Sequence, residues 1–187
     1  MKLAIISVAL LALVACERVT TPPRDETSLP NSGVCASSAT AGVRQFLTSH
    51  PGWQVVNTSD LTEDDQELWQ NHHQGLCPGI AEVQFSPGQP ATLAVTVVRD
   101  AEPGVSQWLV VLRPNDGQPP TVESLYGPDI VASPSVIWRA PSGDYVDRET
   151  GRSIHVEGDV LVFEKLEAGS LVYYRDQDAF RSLIGSE

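Results

Sequence analysis

Positive charge is scarce in this chain of 187 residues, which has 12 Lys and Arg against 24 Asp and Glu and a formal net charge of -12. So acidic a chain repels phosphate backbones, and we therefore expect no nucleic-acid binding. Aromatic residues are also few, at 6%, but 41% of the residues are hydrophobic, which suits a folded domain rather than a disordered chain. The length is enough for one domain of ordinary size and too short for two large ones.

Familiar catalytic motifs are also absent from the sequence. It contains no GxSxG, SxxK or HExxH pattern and no phosphate-binding glycine loop. The adjacent His72 and His73 would point about 100° apart on a helix, so they cannot share a metal ion as a helical pair, and we predict no metal and no cofactor. Glycoside hydrolysis needs a pair of carboxylates, which five acids could supply: Asp144, Asp147, Glu149, Glu157 and Asp159. The same acids are equally well explained as residues of surface turns. We therefore expect a protein that is not an enzyme, with an unrecognised hydrolase as a less favoured alternative.

No apolar run in the sequence is long enough to cross a membrane as a helix. The longest, in residues 2–15 (KLAIISVALLALVA), has about 12 apolar residues after one Lys, whereas a spanning helix needs roughly 20. A basic start, a short apolar run and small residues before a cleavage point are typical of a secretory signal. Residues 1–15 are therefore predicted to be a signal peptide, and its removal with Lys2 would change the formal charge from -12 to -13.

The end of this segment has a more specific pattern. Leu13-Val14-Ala15-Cys16 resembles the lipobox of bacterial lipoproteins, in which an apolar residue and two tolerant positions precede the Cys. The resemblance implies that Cys16 is the first mature residue, carries acyl chains such as palmitate and anchors the protein to a membrane of the cell envelope. It also implies that Glu17, in place of the Asp that retains enterobacterial lipoproteins at the inner membrane, favours the outer membrane and a domain facing the periplasm. An ordinary secretory signal followed by a chance Cys is the alternative.

The next segment is predicted to be a tether. Residues 16–33 contain Pro22, Pro23 and Pro30 and almost no apolar side chains, so they cannot build a core. The globular domain is accordingly predicted to span residues 34–187.

Two cysteines remain once Cys16 is lipidated. Cys35 and Cys77 form an even pair in an oxidising compartment, which favours a disulfide over two buried free thiols. Such a bond would close a loop of about 43 residues and stabilise the domain by about 4 kcal/mol in the chain-entropy description.

The periodicity of the remaining sequence predicts a single α+β domain in which two N-terminal helices pack on a mainly antiparallel sheet with a C-terminal meander. The first helix, over residues 37–49, would bury Val43, Phe46 and Leu47. The second would be capped by Thr62 and would bury Leu68 and Trp69.

From residue 79 onward, β-branched and apolar runs predict strands. The run at 92–99 is apolar on both faces and is therefore expected to be central. Gly158-Asp159, between two strand-like runs, predicts a two-residue hairpin. The predicted strands cover residues 80–85, 92–99, 107–113, 122–126, 135–139, 153–157, 160–165, 171–175 and 180–184.

One loop in this region has a partial resemblance to a known family. Residues 84–94 (QFSPGQPATLA) are similar to the calcium loop of FG-GAP-like repeats, with Phe85 and Ala94 in register. Gln84, Gly88 and Thr92 stand where that family has Asp, so the resemblance implies a loop that leads into a strand but binds no calcium.

Trp and Tyr side chains are enriched in binding patches. The residues predicted to contact a partner are Trp138, Arg139, Tyr173 and Tyr174. Together with the acidic charge they suggest a lipid-anchored module that captures a basic or sugar-bearing partner in the envelope, as inhibitor and immunity lipoproteins do. A structural or assembly lipoprotein of the cell envelope is the alternative.

Overall fold

A computed structural model describes residues 33–115 and 118–185. The protein is mostly β, with 50% of residues in strands and 17% in helices, and its three helices are short. The predicted α+β arrangement of two helices packed on a meander is therefore wrong. The β-rich pattern continues through the whole chain after residue 79, and it builds two sheets and a separate hairpin rather than one sheet.

The first sheet is antiparallel and is built around one central strand. Strand β3 (Thr92–Ala101) pairs along one side with β4 (Gly104–Asn115), and β4 pairs with β5 (Gln118–Val131). The other side of β3 is shared by β1 (Gln54–Val55) and β2 (Ile80–Val83). Residues 94–98 are buried without a break, as expected for a strand covered on both faces.

The second sheet is formed by the C-terminal meander and one earlier strand. Its order is β11–β10–β9–β6, with β6 at Val136–Ala140, β9 at Val160–Lys165, β10 at Gly169–Asp176 and β11 at Ala179–Ile184. The meander β9–β10–β11 was predicted from the sequence, and its pairing is antiparallel throughout.

A separate hairpin covers the outer face of this second sheet. Strands β7 (Gly143–Val146) and β8 (Ser153–Val156) pair only with each other. The predicted hairpin at Gly158-Asp159 is therefore wrong, because β8 pairs with β7 and β9 pairs with β6 and β10. Residues 157–159 instead carry the chain from the hairpin into the sheet. The hairpin residues Tyr145, Ile154 and Val156 pack on the outer face of β9 and β10.

The two sheets pack face to face around a shared apolar core. It includes Ala94, Leu109 and Val111 from the first sheet and Ile137, Leu161, Phe163 and Tyr173 from the second. A polar crosslink also joins the layers. The amide nitrogen of buried Gln107 on β4 donates to the Thr96 hydroxyl at 3.0 Å and to the Ser135 carbonyl at 2.8 Å, and its amide oxygen accepts from the Ser135 N–H at 3.1 Å. No sequence pattern indicated this crosslink.

Two short helices cover the outer face of the first sheet. The predicted helix over 37–49 is divided into α1 (Gly33–Ser38) and α2 (Ala41–Ser49), and Thr40 in extended conformation precedes the second helix. The predicted core residues Val43 and Phe46 are buried against this face. The Cys35–Cys77 disulfide predicted from the cysteine count is present and joins α1 to the segment that enters β2.

A third helix closes one end of the two sheets. Helix α3 (Glu63–His72) begins after Thr62, whose hydroxyl accepts a hydrogen bond from the N–H of Asp65 at 3.2 Å. Trp69 is buried, as predicted, in a cluster with residues from both sheets, among them Val98 and Val136. The structure thus fixes the C-terminal end of α3 beside β6.

The predictions for the signal peptide, for lipidation at Cys16 and for the tether up to residue 32 lie outside the described residues. Among the helices of the described ranges, none is long and apolar enough to pass through a membrane.

Candidate functional site

A cleft of about 570 Å³ lies where β2 and β6, edge strands of different sheets, come together. Its walls include Ile80 and Glu82 on β2 and Trp138 and Arg139 on β6, and its floor includes Ile137. Leu76, in the turn that precedes the disulfide, closes one side. Two of the predicted partner-binding residues, Trp138 and Arg139, therefore lie in one concave site.

At one end of the cleft the chain entering β2 is hydrogen-bonded to β6, and at the other end the residue that follows β2 is hydrogen-bonded to residues 157–159, which precede β9. At one end the N–H of Ile137 donates to the carbonyl of Pro78 at 2.8 Å. At the other end the N–H of Asp159 donates to the carbonyl of Gln84 at 2.9 Å, and the Gln84 N–H donates to a carboxylate oxygen of Asp159 at 3.2 Å. Between these junctions β2 and β6 form no ladder, and this separation creates the cleft.

The orientation of Trp138 is set by the end of helix α3. Its ring lies 4.6 Å from the ring of His73, which stacks on Trp69 at 4.4 Å. Burial between the two indoles lowers the pKa of His73, and the neighbouring charge of His72 lowers that pKa further. His73 thus has a structural role, because it packs against Trp138 and supports that wall of the cleft.

The rim of the cleft is partly apolar and carries charges of both signs. Leu76 is 53% exposed at the mouth of the cleft. The Arg139 side chain is 61% exposed and lies 3.6 Å from Asp159, and Glu82 is exposed on the opposite wall. Hot spots of protein interfaces are enriched in Trp, Tyr and Arg, and this cleft contains Trp138 and Arg139. The sequence analysis missed Leu76 and Glu82, and only the turn residues around Leu76 could have indicated an exposed position for it.

The other two predicted contact residues lie elsewhere. Tyr173 belongs to the core between the sheets, where it is 6% exposed and its hydroxyl donates to the carbonyl of Leu125 at 3.3 Å. Burial raises the pKa of Tyr173 to about 12. Tyr173 therefore presents almost no surface to a partner in this structure. Tyr174, on the opposite face of β10, is half-buried and lines a separate groove.

Several of the acids considered as catalytic carboxylates have structural partners. Asp147 accepts hydrogen bonds from the Thr150 hydroxyl at 2.6 Å and from the N–H of Glu149 at 3.2 Å, and these bonds lower the pKa of Asp147. Asp144 lies 2.7 Å from Nδ1 of His155, and Asp159 holds Gln84 and Arg139 as described above. Within residues 33–115 and 118–185, no three His, Cys, Asp or Glu side chains are grouped so that they could hold a metal ion.

Comparisons with known proteins give no relative for this chain. No family model, no curated protein and no solved structure matches it.

Proposed function

We propose that this chain is a lipid-anchored binding module of the bacterial cell envelope that captures a basic protein partner and catalyses no reaction. Cys16 holds it on the membrane, and the cleft between β2 and β6 takes an apolar side chain of the partner. The observation that carries the proposal is this cleft, with exposed Leu76 and a supported Trp138, on a chain whose formal net charge is -12.

The cleft supplies the short-range part of the interaction. Interfaces gain most of their binding free energy from a few apolar or aromatic anchors in well-packed pockets. Trp138 is rigid because His73 and Trp69 stack behind it, so ordering its ring on binding costs little entropy. Glu82 and Arg139 on the rim can hydrogen-bond to the partner's main chain or to its charged groups.

The acidic charge supplies the long-range part. The first turn of α3 exposes Glu63 and Asp64, and the helix places them about 12 Å from its end beside the cleft. A field of this sign accelerates association with a basic partner and is screened over about 10 Å at 0.1 M salt.

The test is capture from the organism's envelope extract by the immobilised full chain, followed by elution with salt and identification by mass spectrometry. Leu76→Ala removes the apolar anchor, while Ile130→Ala truncates a side chain that is 58% exposed on β5, outside the cleft. We expect one basic protein to be retained by the wild type and by Ile130→Ala. We expect Leu76→Ala to bind it about tenfold more weakly, the loss typical of a modest anchor residue.

Three outcomes would count against this function. An envelope component that resists salt elution would favour the structural or assembly alternative, since that interaction should depend little on ionic strength. Equal losses for Leu76→Ala and Ile130→Ala would remove the cleft from the proposal. Failure to retain any basic protein would remove the capture function.

The anchor has its own test. Cys16→Ser removes the only sulfur that the lipobox resemblance assigns to acylation, so the variant should fractionate with soluble envelope proteins instead of membranes. Unchanged membrane fractionation would contradict the anchor and leave the cleft hypothesis intact.

A further inference from the structure

A groove that shares no lining residue with the cleft lies where three segments converge. These are the loop 84–91 between β2 and β3, strand β8 with the residues that follow it, and the turn between β10 and β11. Two contiguous hollows of about 560 Å³ each form the groove, and they share Phe85, Ser86, Pro87, Arg175 and Gln177. Each hollow by itself has a volume within the range of small-molecule sites.

The walls of this groove are fixed by internal hydrogen bonds. The Gln84 amide nitrogen donates to the carbonyl of Gln89 at 2.8 Å across the loop. On the opposite wall, Nε and Nη2 of Arg175 donate to the carbonyls of Gln177 and Asp178 at 3.1 and 3.4 Å. A ligand would therefore meet a site that is already shaped, and ordering these segments would add little to the free-energy cost of binding.

Charged side chains of both signs line the groove, together with apolar ones such as Phe85 and Ile154. The cations are Arg113, Arg152 and Arg175, and the anions are Glu157, Asp176 and Asp178. Two of the arginines already have carboxylate partners, since Arg113 pairs with Glu123 and Arg175 lies 3.8 Å from Asp178. Arg152 and Glu157 are exposed.

This mixture restricts the class of ligand. Three carboxylates and three guanidinium groups line the groove, so for a phosphate, another small anion or a cation the repulsion from one set offsets the attraction to the other. An apolar ligand would have to desolvate these charged groups without replacing their hydrogen bonds. A neutral polyhydroxylated ligand meets neither cost, because each hydroxyl both donates and accepts and so satisfies carboxylate and guanidinium groups alike.

We propose that this groove is a glycan-binding site for a short neutral saccharide, independent of the protein-binding cleft. Arg152 and Gln177 donate to sugar oxygens, Glu157 and Asp176 accept from sugar hydroxyls, and the half-buried Tyr174 lies in the same wall. A sugar ring has an apolar C–H face as well as hydroxyls, and an aromatic side chain with a polar tip suits that combination.

The test uses the full chain in a detergent without a sugar headgroup and follows amide shifts by NMR. The probes are three trisaccharides, namely maltotriose, cellotriose and tri-N-acetylchitotriose, with inorganic phosphate as the anionic comparison. We expect at least one trisaccharide to produce saturable shifts at residues 86–89 and 174–177, with a Kd in the millimolar range or below. Arg152→Ala and Glu157→Gln should each weaken that binding about fivefold, the value of one or two net hydrogen bonds.

Arg148→Ala is the matched control, because Arg148 is an exposed arginine four residues before Arg152 that does not line the groove. It should leave the affinity unchanged. The proposal is overturned if no trisaccharide produces saturable shifts at millimolar concentration, if the shifts lie outside the groove, or if phosphate binds there more tightly than the sugars. None of these results depends on whether the cleft captures a protein.

Discussion

Replacing Gly158 by Ala tests the way in which the hairpin β7–β8 is joined to the rest of the molecule. A Cβ at this position would lie 2.2 Å from the carbonyl oxygen of Phe85 and 2.9 Å from that of Gln84. Both distances are shorter than those that Cβ atoms keep from their neighbours in real proteins. Both neighbours are main-chain atoms, which cannot rotate out of the way as a side chain could. The end of β2 and residues 157–159 would have to separate.

The expected loss follows from the contacts that this separation breaks. The two hydrogen bonds between Gln84 and Asp159, at 2.9 and 3.2 Å, contribute about 1 kcal/mol each, and the overpacking itself costs about 1 to 3 kcal/mol. Gly158→Ala should therefore lower the free energy of unfolding by about 3 to 5 kcal/mol. Urea unfolding followed by tryptophan fluorescence measures this loss directly.

Gly42→Ala is the same substitution with the opposite expected sign. Gly42 lies inside α2, and its added Cβ would meet only the Thr40 hydroxyl at an ordinary 3.7 Å. Removing a helical glycine should raise the free energy of unfolding by about 0.5 to 1 kcal/mol. If Gly158→Ala unfolds within about 0.5 kcal/mol of the wild type, as surface substitutions do, then residues 158–159 form a local turn without this close approach, and the reasoning is refuted.

Three further predictions concern other parts of the fold. Replacing both Cys35 and Cys77 by Ala should cost about 4 kcal/mol in the chain-entropy description, because the bond spans 42 positions, and a loss below about 1 kcal/mol in urea unfolding would contradict this. Gln107→Leu should cost about 2 to 5 kcal/mol because it leaves three buried polar partners unsatisfied, and near-wild-type thermal unfolding would show that the crosslink between the sheets is not needed. The pKa of His73 is lower in the folded protein than in the unfolded chain. As the pH drops through the ordinary imidazole pKa, the unfolded chain therefore takes up a proton on this imidazole before the folded protein does, and the stability falls. His73→Phe should flatten that part of the pH profile of unfolding, and an unchanged slope between pH values of about 7 and 5 would rule out His73 as its source.

Local pattern was enough to place most of the strands. The run at 92–99 is apolar on both faces and became the central strand β3, and the meander β9–β10–β11 follows turn residues that are visible in the sequence. β7 was missed because Gly143 and Asp144 are residues typical of turns, and its outward residues are exposed. The pairing of β8 with β7 depends on tertiary packing over Val160 and Val162, and no local signal reports that.

The two adjacent tyrosines show the same limit within a single strand. Neighbouring residues in a strand face opposite sides, so Tyr173 and Tyr174 could not both lie on one surface. The sequence shows the alternation but not which side faces the first sheet, because Leu171 and Val172 are equally apolar. The second sheet has an apolar cover on both faces, the other sheet on one and the hairpin on the other, so hydrophobicity alone could not assign the exposed tyrosine.

Both candidate sites adjoin the junction at which Asp159 holds Gln84. On one side of this junction, Glu82 and Arg139 border the cleft. On the other side, loop 84–91 and Glu157 border the groove. Asp159 contacts both neighbourhoods, since it lies 3.6 Å from Arg139 and hydrogen-bonds to the main chain of the residue that begins the loop. Segments some 75 positions apart in the chain meet here, so no sequence window could have located either site. Charge composition predicts a basic partner, whereas the two candidate sites lie on either side of the crossing from the hairpin into the second sheet, which no composition reveals.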